Sequence, residues 1–530
     1  MIRKNIVFII LILITVSLTA QIKISKDTIL SRDCLVRINE LAFSNDKEKE
    51  YYFKYVNSRD INDAFHLLFY VRNGNSNVDS ILKKLDEHVD ILRVKMMKYP
   101  EKKKMKFLYS YIHNTFFDKY VELALFPDIF GSKEYNCLSA SILYGFFLEK
   151  LQIPYEARMS SNHVYLISYP GTMNIVLETT NPISKIALIN DDFKREYITM
   201  MREVKLIGSQ EMEKFTVNEL FGKYYFEEDV ADMYDMVGTH YLNQTATYIN
   251  KFAYQEAYRL ILKAHVINPD YKTIFTIIQI GAKILNQDGF KKSEDAEILG
   301  LLSRFTDYGI TVDMIVSDFN TITQTQLINN SDTTMYQNSY NSLMYYATDS
   351  ALKANLSYTY YKALCLYWYQ SSKLDKALNY IDKAFLINPN NKESEQILVE
   401  VFSNYIYANK NNTSDFKNIY DKIDSYLQVK PELADNKTFG LFRMYYWVDL
   451  IENEYSKGNM VEGDKYLDHL ERILTIELIS KLSYDIQNLY IKGSFYYYKR
   501  YNNKKAKEYI VRGLKYLPDS YELKRRLNAL

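Results

Sequence analysis

Three residue types that together support attack on an acyl group occur in order in the middle of the chain. Cys137 directly precedes an apolar run to Leu151 with helical periodicity, and Asn136 is a suitable N-cap. Unpaired backbone N–H groups and the helix dipole favour a thiolate in a first helical turn. His163 begins a predicted strand, and Glu178 lies on the next one. A thiolate beside an imidazole that a carboxylate orients is suited to nucleophilic catalysis.

The two predicted strands are joined by a Pro170-Gly171 turn, which indicates an antiparallel hairpin. Counting back equally from each side of this turn places His163 opposite Glu178. Pro-Gly also favours turns that splay the strands, so a register shifted by two residues stays open. Such a shift would still leave a diagonal contact within side-chain reach.

These residues resemble the transglutaminase-like branch of the papain-like cysteine superfamily over about residues 100 to 190. The resemblance implies that Cys137 is the nucleophile, His163 the acid/base and Glu178 the third member of the triad. The family usually has aspartate at the third position. The extra methylene of glutamate displaces the carboxylate by roughly 1.5 Å, so either the register compensates or the triad is impaired.

The function of this constellation has two open interpretations. Each residue alone is compatible with an ordinary scaffold role, but their joint order favours an inherited catalytic site. One hypothesis is an enzyme that acts on amide bonds by acyl transfer, through hydrolysis, deamidation or crosslinking. The other is a non-catalytic interaction protein that carries a degenerate core. The backbone N–H of Cys137 is the one oxyanion donor that the sequence identifies.

The C-terminal half contains one constellation of residues three times, with spacings of seven, nine, seven and five. The copies are Tyr241, Tyr248, Ala257, Ala264 and Pro269; Tyr361, Trp368, Ala377, Ala384 and Pro389; Tyr490, Tyr497, Ala506, Gly513 and Pro518. Aromatic residues seven apart share one face of a first helix, and small residues seven apart let a second helix approach closely. The proline then ends the second helix. This pattern resembles the tetratricopeptide repeat.

The predicted fold is mainly α, with an α+β core that contains a small antiparallel sheet and is followed by an α-solenoid of tetratricopeptide-like helix pairs. The predicted segments are a signal peptide (1–20), a helical N-terminal segment (21–99), a transglutaminase-like core (100–195), a connecting segment (196–230) and a repeat array (231–530). This combination resembles exported bacterial proteins that join such a core to tetratricopeptide repeats. The resemblance implies that the array recruits a protein or peptide.

Composition excludes several other classes of protein. The chain has 530 residues with 47% hydrophobic and 25% charged, so it is neither short of core residues nor disordered. Sixteen glycines and nine prolines favour long helices over turn-rich β structure. A net charge of +1 gives no reason to expect a nucleic-acid partner. The sequence does not define an oligomeric state.

Cysteine and histidine usage argues against a disulfide scaffold, a metal site or a cofactor. The three cysteines are an odd number in a long chain, and the seven histidines are scattered. Cys34 is predicted to be an ordinary thiol near the mature N-terminus. Cys365 falls on the packed face of a repeat helix, which predicts a structural role.

The first twenty residues have the arrangement of a secretory signal peptide. Arg3 and Lys4 precede an apolar run, which ends near Ala20-Gln21. We therefore expect an exported protein, periplasmic or secreted, with no membrane span beyond this segment. Leu18 is a poor match to the small residue expected before a cleavage point, so an uncleaved anchor stays open.

The mature protein is expected to begin near Gln21, because the cleavage-like step follows the apolar run directly. Mass spectrometry of the protein recovered from the source cells measures its N-terminus. A full-length chain that begins at Met1 in the soluble cytosolic fraction would contradict this expectation.

Overall fold

The protein is mainly α with a small antiparallel sheet, as the sequence predicts. The computed structural model describes residues 35–71, 77–159, 163–180, 187–188, 191, 194–195, 198–199, 202, 207–225, 229–409 and 416–530. The predicted signal peptide and Cys34 lie outside the described residues. The chain divides into two compact units, one that ends at Thr311 and one that spans Val312–Leu530. No helix in the described ranges combines the length and apolar character needed to cross a membrane.

Four α-helices within residues 35–71 and 77–116 precede the candidate site. They are α1 (Asp46–Ser58), α2 (Ile61–Tyr70), α3 (Val78–Met96) and α4 (Glu101–Phe116). Polar caps fix where the first three begin, because the side chains of Asn45, Asp60 and Asn77 accept hydrogen bonds from N–H groups of the first turn. The α2 helix is buried at eight of its ten positions, which makes it a core element of the first unit.

The central region surrounds one buried helix. Its elements are β1 (Lys119–Tyr120), α5 (Asp128–Gly131), β2 (Glu134–Tyr135), α6 (Cys137–Lys150), β3 (Tyr155–Met159), β4 (Val164–Ser168), β5 (Ile175–Leu177), β6 (Ala187–Leu188) and β7 (Asp229–Ala231). The predicted helix at Cys137 is confirmed. Every residue from Leu138 to Leu148 is buried, as expected for a helix that is apolar on all sides. Strands β1 and β2 pair in parallel, and the remaining strands form an antiparallel sheet in the order β6-β5-β4-β3-β7.

The hairpin between β4 and β5 has a longer turn than the sequence indicates. Ser168 pairs with Ile175, so the turn covers residues 169–174. Tyr169, Gly171 and Asn174 have left-handed φ values of 54°, 75° and 45°, which close this wider turn. The predicted register with His163 opposite Glu178 is therefore wrong, and the alternative shifted by two residues is the one observed.

Six further α-helices follow among the described residues of the first unit. They are α7 (Ser209–Lys214), α8 (Val217–Tyr225), α9 (Met233–Asn250), α10 (Tyr254–Ile267), α11 (Tyr271–Asp288) and α12 (Glu294–Leu302). Two buried ion pairs join this part of the chain to the N-terminal segment, through Lys263 on α10 and through Arg304 just after α12. Lys263 lies 2.6 Å from Glu48, with side chains 1% and 0% exposed, and Arg304 donates two hydrogen bonds to Glu40. Removal of one partner would leave a buried charge unpaired, so these pairs fix the arrangement strongly.

The second unit is built from helices alone within its described residues. They are α13 (Val312–Ile322), α14 (Thr333–Tyr346), α15 (Ser350–Gln370), α16 (Leu374–Ile387), α17 (Lys392–Asn409), α18 (Phe416–Val429), α19 (Lys437–Lys457), α20 (Met460–Ile473), α21 (Ile476–Lys481), α22 (Ser483–Tyr498), α23 (Asn503–Leu514) and α24 (Tyr521–Ala529). Ala377 and Ala384 are fully buried between packed helices, and α16 ends two residues before Pro389. The small residues of the constellation therefore lie where close helix packing requires them.

Gly513→Ala is expected to destabilise the protein by about 1–3 kcal/mol, because a Cβ at this position would lie 2.7 Å from Cγ of Tyr490. Tyr490 is itself fully buried and has little room to move. Chemical denaturation measures the change in the free energy of unfolding.

Gly440→Ala is the matched control, because the nearest atom to its added Cβ is the Ala434 carbonyl oxygen at 3.7 Å. Helix propensity alone then stabilises this variant by about 0.5–1 kcal/mol. An increase in stability for both variants would show that the helices around Gly513 are packed differently.

Candidate active site

Asn136 sets the position of Cys137 at the start of α6. Its Oδ1 accepts a hydrogen bond from the Ser139 N–H at 2.8 Å, and the Ser139 hydroxyl oxygen accepts one from the Asn136 N–H at 2.9 Å. This reciprocal capping box fixes the first turn of the helix. Cys137 is the first helical residue and is partly exposed, whereas the helix behind it is buried. Cys137 is therefore the residue through which the N-terminal end of this helix meets solvent.

The structure brings Cys137, His163 and Glu178 together. Nε2 of His163 lies 2.9 Å from Oε2 of Glu178, and the His163 ring is also hydrogen-bonded to the Cys137 side chain. His163 directly precedes β4, and Glu178 directly follows β5, so the two residues extend from neighbouring strands at the same end of the hairpin.

The electrostatics of this cluster favour a charged imidazole. The hydrogen bond to Cys137 is the largest cause and the one to Glu178 the next, and together they raise the pKa of His163 to about 10 against the opposing effect of burial. The imidazolium is therefore the expected form at neutral pH. A positive charge therefore lies beside the Cys137 sulfur at the helix N-terminus.

Both oxygens of the Glu178 carboxylate have partners. Oε2 contacts His163, and Oε1 accepts a hydrogen bond from the Thr180 hydroxyl at 3.0 Å. The backbone carbonyl of Glu178 accepts a hydrogen bond from the Tyr109 hydroxyl at 2.9 Å. Tyr109 stacks on the buried Tyr144 with ring centroids 5.4 Å apart. The carboxylate is thus held by contacts that reach back into the core.

Two hydroxyl residues that the sequence did not single out join the three elements of the site. Ser141 donates to the Val164 carbonyl at 3.3 Å and lies 3.1 Å from the Thr179 hydroxyl, and both side chains are fully buried. Thr179 in turn donates to the Cys137 carbonyl at 3.4 Å. A serine one turn after Cys137 in an otherwise apolar helix is the signal that could have indicated this contact.

A tyrosine that the sequence reasoning also missed lies against the thiol. The Tyr120 side chain is hydrogen-bonded to the Cys137 side chain, and Tyr120 is 48% exposed. The β1–β2 pairing places Tyr120 opposite Tyr135, two residues before Cys137. No sequence pattern indicates this contact, because it depends on a pairing of two-residue strands.

The other described thiol has a different environment. Cys365 is fully buried on α15, and burial raises its pKa to about 12. It is therefore a structural thiol, as the sequence predicts, and has little thiolate character at neutral pH. Among the described residues, no group of three or more histidine, cysteine or acidic side chains could hold a metal ion.

In comparisons with known proteins, no family model matches the chain and no curated protein matches its sequence. The chemistry of the site is therefore judged from the contacts of its own residues. These contacts define a cysteine, histidine and carboxylate cluster at a helix N-terminus, the arrangement used by thiol nucleophiles in acyl transfer.

His163 is expected to stay protonated as the pH passes 6.5 and to lose its proton only towards about 10, because the thiol and the carboxylate both favour the imidazolium. The stability that this proton contributes is complete below pH 6.5 and declines as the pH rises through about 10. Titration of the His163 ring resonances by NMR measures the midpoint.

Glu178→Gln is expected to lower this midpoint, since it removes the negative charge at 2.9 Å from Nε2. Glu50→Gln is the control, because Glu50 pairs with Lys54 on the surface of α1. A wild-type midpoint near 6.5, unchanged in Glu178→Gln, would show that the three groups do not interact.

Proposed function

We propose that the protein is an exported transglutaminase-like cysteine protein that acts on amide bonds by acyl transfer. The observation that carries the proposal is the continuous set of hydrogen bonds from Cys137 to His163 to Glu178. A chance meeting of these groups is improbable, because α6 and the β4–β5 hairpin are each fixed by their own packing. The polar partners of Glu178 also orient its carboxylate in the manner that an acid/base histidine requires.

The proposed reaction passes through a thioester. The Cys137 thiolate attacks the carbonyl carbon of a carboxamide or peptide bond, and the C=O electron pair moves onto oxygen. The pair then returns, the C–N bond breaks, and the His163 imidazolium gives its proton to the departing amine. A water molecule or a second amine attacks the thioester, loses its proton to His163 and releases the thiolate. Water yields hydrolysis or deamidation, and an amine yields crosslinking.

The glutamate in the third position is compatible with this reaction. Its side chain is longer than that of the aspartate usual in the family it resembles, but the observed register places Glu178 diagonally from His163. The added methylene spans this diagonal, and the contact is 2.9 Å. The register shift therefore supports a functional triad rather than an impaired one.

We assign to the helix pairs the role of a tetratricopeptide-like solenoid that recruits a protein or peptide to this site. Support comes from the threefold constellation and from the burial of its small residues, including Ala257, Ala384 and Ala506. Helix pairs of this kind present a continuous surface to an extended peptide or a helix.

Alkylation of the folded protein by iodoacetamide at pH 6 to 7 tests the proposal. Cys137 is expected to react, because it is partly exposed and lies beside an imidazolium at a helix N-terminus. Cys365 is expected to stay unmodified, since it is fully buried and its pKa is raised to about 12. Peptide mapping by mass spectrometry assigns the modified residue.

Two variants give this test its controls. Cys365→Ser should leave the alkylation rate of Cys137 unchanged, and His163→Ala should slow it because the stabilising charge is lost. If Cys137 reacts no faster than an ordinary thiol and is indifferent to His163→Ala, acyl transfer fails. The protein would then be a non-catalytic interaction protein with a degenerate core.

A further inference from the structure

Tyr120 is held beside Cys137 by backbone contacts on both sides of it. Its strand β1 pairs in parallel with β2, and the Val121 N–H donates to the Tyr135 carbonyl at 2.8 Å. The Tyr120 ring packs edge-on against Tyr135 with centroids 5.8 Å apart. Because Tyr135 is followed by Asn136 and Cys137, this pairing places Tyr120 at the helix N-terminus.

The residues after Tyr120 are fixed by the same side chain that caps the helix. Nδ2 of Asn136 donates to the carbonyls of Glu122 and Ala124, each at 2.9 Å. Oδ1 of Asn136 simultaneously accepts from the first turn of α6. The segment that carries Tyr120 and the helix that carries Cys137 therefore share one anchor, and their relative position is set by it.

We infer that Tyr120 is a catalytic residue whose hydroxyl, with the backbone N–H of Cys137, stabilises the oxyanion formed during acyl transfer. This inference rests on the proposed function and supplies the side-chain donor that the sequence leaves unassigned. The Tyr120 side chain interacts with the Cys137 side chain, and the β1–β2 pairing holds it there, so its hydroxyl lies within reach of an acyl group that the sulfur attacks. Its 48% exposure leaves the space beside the ring open to a substrate.

The protonation of Tyr120 suits this role. Burial is the largest cause that raises its pKa above the usual 10, and the charge and hydrogen bond of Cys137 raise it further. The phenol is therefore a neutral donor throughout the neutral pH range. As the sulfur bonds to the carbonyl carbon, negative charge moves from the sulfur to the carbonyl oxygen of the substrate. The Tyr120 O–H can then donate its hydrogen bond to that oxygen instead of to the sulfur. No proton leaves Tyr120, because the departing amine takes its proton from His163.

Tyr120→Phe in the full chain tests the inference with two small probes. p-Nitrophenyl acetate acetylates the thiol through an oxyanion, whereas iodoacetamide alkylates it without one. Acetylation of Cys137 is expected to fall by about 100- to 1,000-fold, and alkylation at pH 6 to 7 is expected to persist. Tyr501→Phe is the control and should leave both rates unchanged, because Tyr501 is 96% exposed in the second unit.

Tyr120→His provides a second variant that keeps a ring N–H donor on a half-exposed strand residue. Tyr120→His should retain more acetylation of Cys137 than Tyr120→Phe, because histidine can donate a hydrogen bond to the oxyanion and phenylalanine cannot. Thermal unfolding of each variant reports whether it is folded.

The outcomes separate this inference from the proposed function. Normal acetylation of Cys137 in Tyr120→Phe would overturn the role of Tyr120 and leave acyl transfer intact. Parallel loss of acetylation and alkylation in both folded variants would also overturn it, since Tyr120 would then act on the thiolate alone. A wild-type Cys137 that neither alkylates nor acetylates would contradict the proposed function itself.

Discussion

The burial of α6 is the constraint on which the first unit depends. Because every residue from Leu138 to Leu148 is buried, the N-terminal half of the helix reaches solvent at its first residue alone. Four unpaired N–H groups would be exposed there without a cap. Asn136 satisfies part of this requirement and uses its amide nitrogen to hold the neighbouring segment. The element that makes the core stable thus also concentrates polar groups around Cys137.

The site is predictable from the sequence to the extent that its residues follow local rules. The helix at Cys137 follows from an N-cap and an apolar period, and the proximity of His163 and Glu178 follows from a hairpin. The register does not follow, since three left-handed residues between Ser168 and Ile175 widen the turn. Tyr120 could not be found either, because its position depends on pairing across fourteen intervening residues.

Buried charge gives the first unit its internal order. The pairs Lys263–Glu48 and Arg304–Glu40 are almost completely removed from solvent, and each joins the N-terminal segment to a residue more than two hundred positions later, Lys263 on α10 and Arg304 just after α12. An apolar contact would tolerate small displacements. A buried ion pair would not, because separation removes the Coulomb attraction that offsets the cost of taking both charges out of water. These pairs therefore define how the N-terminal helices and helices α10 to α12 pack together.

The sulfur of Cys137 has two donors with different consequences for the proposed chemistry. His163 offers a positive charge and a proton that the leaving group can take, so its contact with sulfur must give way as the reaction proceeds. Tyr120 offers a neutral O–H, which can turn from sulfur to a developing oxyanion without a change of charge. Attack becomes favourable because the new oxygen anion recovers one of these hydrogen bonds, and Asn136 holds that donor in place beforehand.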